Sequence, residues 1–305
     1  MEEPVHDALT AEQTPATIIS SSDGTFAMRM RREGDFVKIG RQDQHSSAIS
    51  TSNQETILVR GRDLARELIG TISFTEHFWL LLTGKLPSQA QLRVLDATLV
   101  AIAEHGLVPS AQVSRMTLAA APEALQGAVA AGILGCGSVV LGSSEAAGGL
   151  FAEVAARAAS GPVENAASEV VREYRTAGRA IPGYGHPLHR SEDPRARRLI
   201  EVATEAGVAG KHVAIAKTLE KLLPQLIGRP LTLNVSGAIP AVLLDCGYPL
   251  PALKGVPLLA RTAGLIAHLL EERERGIGFV MSHAAAQAID YDGDMPPGFK
   301  PSDGG

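Results

Sequence analysis

The residues best suited to chemistry fall in one stretch, Ile181-Pro182-Gly183-Tyr184-Gly185-His186-Pro187-Leu188-His189-Arg190, continuing through Ser191-Glu192-Asp193-Pro194-Arg195. Proline removes a backbone donor and restricts the residue before it, and glycine admits positive φ. Two prolines and two glycines in this stretch predict a tight loop with His186 at its tip. Asp193 followed by Pro194 reads as a helix N-cap and first helical residue, so Arg195 falls in a first turn. A histidine that exchanges hydrogen bonds with an oxygen, beside Arg190 and Arg195 as carboxylate clamps, suits a multiply charged small acid. A surface loop with a stray histidine is the plainer alternative, and the company His186 keeps argues against it.

Other candidates are scattered. His105 closes Ala103-Glu104-His105-Gly106, where a protonated imidazole would complement the negative end of a helix dipole. Arg261 lies in a long apolar helix, either snorkelling to the surface or binding a carboxylate. Asn234-Val235-Ser236-Gly237-Ala238 opens an apolar helix. There Asn234 or Ser236 is an N-cap, or the helix start turns its N–H groups and a side chain into a cleft. Pro187 and the turn separate His189 from His186 as a metal pair, and with no HxxxH or CxxC pattern no metal is expected. The dinucleotide, P-loop and nucleophile-elbow glycine motifs are missing, so nucleotide hydrolysis and Rossmann redox chemistry lack support.

The elements that must position these residues read as helices. Residues 1 to about 24 are polar, like a flexible arm, and Phe26 to Ile39 alternates like a hairpin turning at Glu33-Gly34-Asp35. From Ile57 the period becomes helical. A short helix is expected from Arg62 to Ile69. Capping boxes at Ser73/Glu76 and Ser88/Gln91 open the next two. Further helices are expected at Ser110–Ala120, Leu125–Leu141 with Gly135-Cys136-Gly137 inside it, Ser144–Ala159 and Val163–Tyr174. After the loop, helices are expected at Pro194–Ala206, Lys211–Leu223, Ser236–Asp245 and Pro257–Arg275. The expected fold is all-α and large for that class.

Composition agrees with a folded chain of this kind. Its 305 residues are 45% hydrophobic with a net charge of −5, which supplies a core and advertises neither nucleic acid nor an anionic membrane. Cys136 and Cys246 lie in apolar surroundings and read as reduced, buried thiols. No run reaches the roughly 18 apolar residues of a membrane helix, and the N-terminus lacks a signal pattern, so a soluble cytoplasmic protein is expected.

The Gly183-Tyr184-Gly185-His186 loop, with an arginine four residues on and then Asp193-Pro194-Arg195, resembles the signature of the citrate synthase family. The likeness spans about residues 56 to 293. Val59-Arg60-Gly61-Arg62-Asp63-Leu64 resembles the family's R-G-x-D-[IL] opening. Ser73-Phe74 through Leu82 with Gly84-Lys85-Leu86-Pro87 resembles its S-F-x-E…L-L-L-x-G-x-L-P segment. The resemblance implies a homodimer with an active site in a cleft between two helical domains. The large one would comprise residues 55–150 and 235–305, the small one 151–234, after an N-terminal arm of 1–54. It gives His186 the role of polarising the ketone under attack. It gives Arg195, Arg261 and His105 the substrate carboxylates, and Arg190 with Gly183, Tyr184 and Gly185 coenzyme A. No bound cofactor is implied; a coenzyme A thioester enters or leaves as reactant.

The departures carry as much information. Where the family reads P-L-H-G-G-A, this chain reads Ser143-Ser144-Glu145-Ala146-Ala147-Gly148, so the enol-supporting histidine becomes Glu145, or Ser144 in a register one residue earlier. Where the family reads N-V-D, Ser236 replaces the aspartate base, and an alcohol cannot act as a base near neutral pH. The R-P-R segment is absent before Tyr291-Asp292-Gly293. The run from Asn234 to Pro249 is more similar to the citryl-CoA lyase branch, which includes the lyase portion of ATP-citrate lyase. The expected reaction is retro-aldol cleavage of a citryl-CoA-like tertiary-hydroxy acyl-CoA to acetyl-CoA and oxaloacetate. His186 would take the hydroxyl proton and Ser236 donate to the thioester oxygen. Glu145, kept protonated by burial, would serve the enolate, unless it is simply a first-turn carboxylate favoured by the helix dipole. The alternatives are a citrate or 2-methylcitrate synthase and a catalytically degenerate coenzyme A- or acid-binding homologue.

Overall fold

The computed structural model describes residues 46–137, 141–185 and 192–299, together with the backbone of two earlier strands; His186, His189 and Arg190 lie outside the described residues. The chain divides into two units, Met1–Ala48 and Ile49–Gly305. In the first, β1 (Thr17–Ser20) and β2 (Phe26–Arg29) pair antiparallel, Thr17 opposite Arg29 and Ser20 opposite Phe26. The alternation at Phe26 and Met28 thus marks a strand, but its partner precedes it. The β-branched run Thr17-Ile18-Ile19, inside the expected flexible arm, supplies that partner.

The second unit opens on a small antiparallel sheet, β3 (Ser50–Ser52), β4 (Ile57–Val59) and β5 (Arg62–Asp63), where polar linker and then helix were expected. Arg60 and Gly61 join β4 to β5 with φ of 50° and 78°, the two positive values that a tight two-residue hairpin turn requires. The expected helix from Arg62 shrinks to one wide turn, Leu64–Leu68, because Asp63 stays in the strand and its carboxylate accepts from the N–H groups of Ala65 and Arg66.

The rest is helical, as expected. The helices are α1 (Phe74–Thr83), α2 (Gln89–Ala103), α3 (Pro109–Ala120), α4 (Leu125–Leu134), α5 (Ser143–Arg157), α6 (Val163–Thr176), α7 (Pro194–Glu205), α8 (Lys211–Ile227), α9 (Val235–Asp245), α10 (Gly255–Glu274) and α11 (Gly278–Ala288). Both capping boxes form. α4 ends at Gly135, short of the expected Leu141, since Gly135 and Gly137 each weaken a helix by about 1 kcal/mol relative to alanine. α8 runs past Pro224 to a left-handed Gly228. α11 was not expected: of its residues only Gly278 is buried, so no apolar face marks it.

The hub is α9. Val235 and every residue from Gly237 to Leu243 are buried, and α2, α5, α7 and α8 pack around it. On α5, Gly148 leaves room for Leu253, which a Cβ would strike. Outside this hub, α10 packs on α2, α3 and α4, and α11 on α3. α10 is long and apolar enough to cross a membrane by composition, but Val256, Ala260, Leu265 and Leu269 on it are buried against this same chain.

Candidate functional site

The base of the Gly-Tyr-Gly loop is anchored to the start of α9. Gly185 N–H donates to the Thr232 carbonyl at 2.7 Å, Asn234 N–H to the Gly183 carbonyl at 3.0 Å, and Asn234 Nδ2 to the Gly185 carbonyl at 2.6 Å. Asn234 also caps α9, its Oδ1 accepting from Gly237 N–H at 3.2 Å. Gly183 (φ 86°) and Gly185 (φ 82°) need the left-handed region. A Cβ on Gly183 would lie 2.8 Å from the Gly237 Cα, and one on Gly237 would lie 2.6 Å from the Gly183 carbonyl oxygen. Two glycines therefore let the loop lie directly on the first turn of α9, and His186 follows at once. Tyr184, expected at coenzyme A, is instead a core strut. It is 8% exposed, its hydroxyl donates to the Ala216 carbonyl at 2.9 Å, and its ring meets Phe151 edge-on.

Asp193 does more than cap α7. Its Oδ1 accepts from the Arg195 backbone N–H and from Nε, both at 3.0 Å. Its Oδ2 accepts from Arg195 Nη2 and from the first N–H of α9, Val235, both at 2.9 Å. One fully buried carboxylate thus sits at the positive ends of two helices and orients Arg195. Burial would raise this carboxyl, but the Arg195 guanidinium and the Val235 N–H outweigh it and hold it below the usual range.

Arg261 is 4% exposed, and its buried Nε and Nη1 have no hydrogen-bond partner among the described residues. It is not a snorkelling side chain. His105 is half-buried at the end of α2, and the Arg195 and Arg261 guanidiniums both act on it. Burial first, then these two cations, push its imidazole below the ordinary histidine value, while Glu104 and Asp193 oppose them. The helix-dipole reading of a protonated His105 is therefore corrected: α2 stops at Ala103, and the adjacent cations favour the neutral ring. His105, just past the end of α2, and Arg195 and Arg261, on α7 and α10, form one electropositive cluster, with Asp193 bound to Arg195. A buried guanidinium left unpaired costs several kcal/mol, so an arrangement of this kind can receive an anion, with hydrogen-bond donors of the type that suits carboxylates.

The side expected to serve the enolate is less complete. Glu145 lies in the first turn of α5 and is exposed. The burial expected of it is absent, and its place is the first turn of a helix. Ser144 is the inward residue, fully buried with its hydroxyl unpartnered among the described residues. The next inward residue of this helix, Ala147, packs near Gly183. Ser236, second residue of α9, is half-buried and makes no hydrogen bond to a described residue. Asn234, not Ser236, is the α9 cap. No cluster of potential metal ligands occurs among the described residues. A pocket of about 230 Å³ that shares Asp193 with this site is lined also by Glu192, Glu201 and Glu220 against Arg197 and Lys217, a balance ill-suited to a polyanion.

A contact between α2 and α10 escaped the sequence reading. Gly264 presses against the Ala103 carbonyl, where a Cβ would not fit. One helical turn on, His268 Nε2 lies 3.0 Å from a Glu104 carboxylate oxygen. The available signal was the spacing Arg261, Gly264, His268, Glu272, which places small and polar residues on one face of an apolar helix.

Residues 90–278 match the family model described as citrate synthase, C-terminal domain. The chain belongs to the citrate synthase family. Among solved structures, the citryl-CoA lyase from Hydrogenobacter thermophilus superposes with a TM-score of 0.74 at 30% identity, over 84% of this chain and 97% of that one. An ATP citrate lyase from Methanothrix soehngenii shares the fold, with a TM-score of 0.67 at 24% identity over 85% of this chain and 43% of that one. The citrate/2-methylcitrate synthase of Bacillus subtilis is 28% identical over 207 residues, 66% of this chain and 53% of that protein. The chain spans about half the length of the curated relatives it matches. Family members similar to it are thus named both as synthases and as lyases.

Proposed function

We propose that this protein is a carbon–carbon lyase acting on a tertiary-hydroxy acyl-CoA of the citryl-CoA kind. The observation that carries this reading is the buried Arg261, whose Nε and Nη1 have no partner among the described residues, beside His105 and Arg195. It demands an anionic ligand, and the three residues together offer donors for more than one carboxylate. Similarity at 30% identity to a citryl-CoA lyase, over 97% of that chain, supports cleavage as the reaction.

In the proposed reaction, His186 takes the proton of the tertiary hydroxyl and that carbon becomes a ketone. The bond to the neighbouring methylene carbon breaks, and its electron pair forms the thioester enolate. That carbon then takes a proton from water to give acetyl-CoA, oxaloacetate leaves, and the proton held on His186 returns to solvent. Arg261, Arg195 and His105 hold the carboxylates throughout. Ser236 and Ser144, rather than Glu145, are the hydroxyl donors facing inward for the thioester oxygen. Arg190 assists coenzyme A. The reading includes a homodimer with the cleft between a large domain (55–150 and 235–305) and a small one (151–234).

A second reading, a binding-only homologue, is favoured by one observation: no carboxylate or imidazole among the described residues occupies the enolate side. Incubation of the purified protein with (3S)-citryl-CoA, following acetyl-CoA and oxaloacetate, separates the two. Product formation that His186→Ala abolishes supports the lyase. Tight binding of citryl-CoA without products supports the binding-only homologue.

A further inference from the structure

α3 carries two buried serines one turn apart, and their surroundings differ. Ser114 Oγ donates to the Ala128 carbonyl of α4 at 2.7 Å. Ser110, 3% exposed, buries a hydroxyl that has no hydrogen-bond partner among the described residues. It stands in the first turn of α3, directly after Pro109, where Val108 supplies no side-chain cap. A buried hydroxyl without a partner forfeits its hydration for nothing, and alanine would fill the same place without that cost.

Packing sets this hydroxyl beside the acid-binding cluster. α3 and α10 run side by side in the same direction. Arg115 of α3 pairs with Glu271 and Glu272 of α10, each at 2.7 Å, and further along, Ala119 and the Arg115 carbonyl close on Gly278. Back along both helices, a Cβ on Gly132 of α4 would strike Ser114 Oγ, the Ser110 carbonyl and Leu265. Ser110 is therefore level with the turn of α10 from Arg261 to Leu265. α4 reaches the same turn. Cys136, one turn past Gly132, donates its thiol to the Gly132 carbonyl at 3.4 Å; burial pushes that thiol up, and the Arg261 guanidinium opposes the shift. α2 ends there too, its Ala103 carbonyl pressed on Gly264 with His105 two residues on.

We propose that Ser110 is a further acid-binding residue, its hydroxyl donating to the carboxylate that Arg261 holds. The Ser110 hydroxyl and the Nε and Nη1 of Arg261 are buried donors without partners among the described residues, on neighbouring turns of α3 and α10. A carboxylate has lone pairs enough for all three. The first turn of α3 adds the positive end of a helix dipole. The contrast with Ser114 separates the two roles: one serine ties α3 to α4, and the other is left for the ligand. The inference rests on the acid-binding reading of the cluster.

The test sets Ser110→Ala against Ser114→Ala, with Arg261→Met as the reference for loss of the acid. Citrate affinity is measured by titration calorimetry, and the unfolding midpoint of the unliganded protein by scanning calorimetry. Ser110→Ala should weaken citrate by roughly tenfold to a hundredfold, as for a lost hydrogen bond to a charged group. Its unliganded midpoint should stay or rise, since alanine has no hydroxyl to bury. Ser114→Ala should do the reverse: the Ala128 carbonyl loses its donor and the midpoint falls, while citrate affinity stays that of the wild type. Wild-type citrate affinity in Ser110→Ala would overturn the proposal, and the acid-binding reading would still stand if Arg261→Met loses citrate. Weakened citrate together with a lowered midpoint in Ser110→Ala would mark a structural serine and also overturn it. A wild-type protein that binds no citrate would overturn both.

Discussion

Arg261 buries its Nε and Nη1 with no hydrogen-bond partner among the described residues, and this makes its contribution to stability and to binding opposite in sign. Arg261→Met should leave the unliganded protein as stable or more so, since replacing buried charge by an apolar side chain of similar volume gains about 1–4 kcal/mol in comparable cases. The same change should weaken tricarboxylate binding by about 2–5 kcal/mol. Thermal unfolding with and without citrate reads both effects at once: the variant keeps or raises its unliganded midpoint and loses the citrate-induced rise. His105 supplies the pH dependence. Its folded-state value is depressed, by burial first and then by Arg195 and Arg261. The unfolded chain therefore binds the proton more readily, and stability declines as pH falls through about 6.5, the ordinary histidine value. An anionic ligand placed against it raises that value again. Citrate binding should thus take up protons near pH 6 and almost none near pH 8, which calorimetry in buffers of different ionisation enthalpy detects. Binding with no proton uptake at either pH would separate His105 from the ligand.

At the scale of elements, the start of α9 is the shared footing. Asp193 ties α7 to α9, and Gly183 rests on Gly237. Asp193→Asn should lower stability by about 2–4 kcal/mol, because the half-buried Arg195 guanidinium loses the buried carboxylate that pairs with it. The native carboxyl lies below its unfolded value, so its contribution is present above about pH 4 and fades as pH falls through the lower folded value. Urea midpoints across pH should show the wild type losing this increment in acid and the variant lacking it throughout. Gly237→Ala sets a Cβ against the Gly183 carbonyl and should displace the loop from which His186 emerges. Overpacking of this kind costs about 1–3 kcal/mol, and turnover should drop while the helical circular dichroism is retained. Much of this level was legible in the sequence because local chemistry controls it: Asp193-Pro194, Ser73 with Glu76, and Ser88 with Gln91 start helices where side-chain caps said they would. The contact of Asp193 with Val235, 42 residues on, was not legible, because no local pattern encodes which second N–H a carboxylate will meet.

Across the whole molecule, the helical class and the family are plain in the sequence, while the small β elements are not. β3 to β5 are two or three residues each, largely unburied, and so leave no alternation to read. The residue types of the acid-binding cluster were identifiable individually, but their convergence depends on α2, α7 and α10 meeting in space. The replacement of Glu145 by Ser144 as the inward residue of α5 turned on one step of helical register, which only packing resolves. Leu243 on α9 is fully buried at the hub. Leu243→Ala should cost about 2–5 kcal/mol in denaturant unfolding without altering the pH dependence of citrate binding, which separates the scaffold from the site.

The most direct measurement is the incubation of purified protein with (3S)-citryl-CoA, with acetyl-CoA and oxaloacetate quantified over time and His186→Ala and Arg261→Met assayed alongside. The expected result is stoichiometric release of both products by the wild type, loss of turnover in His186→Ala, and a rise in KM in Arg261→Met. Citryl-CoA left intact by a wild-type protein that nonetheless binds it, or cleavage that survives His186→Ala, would contradict the lyase.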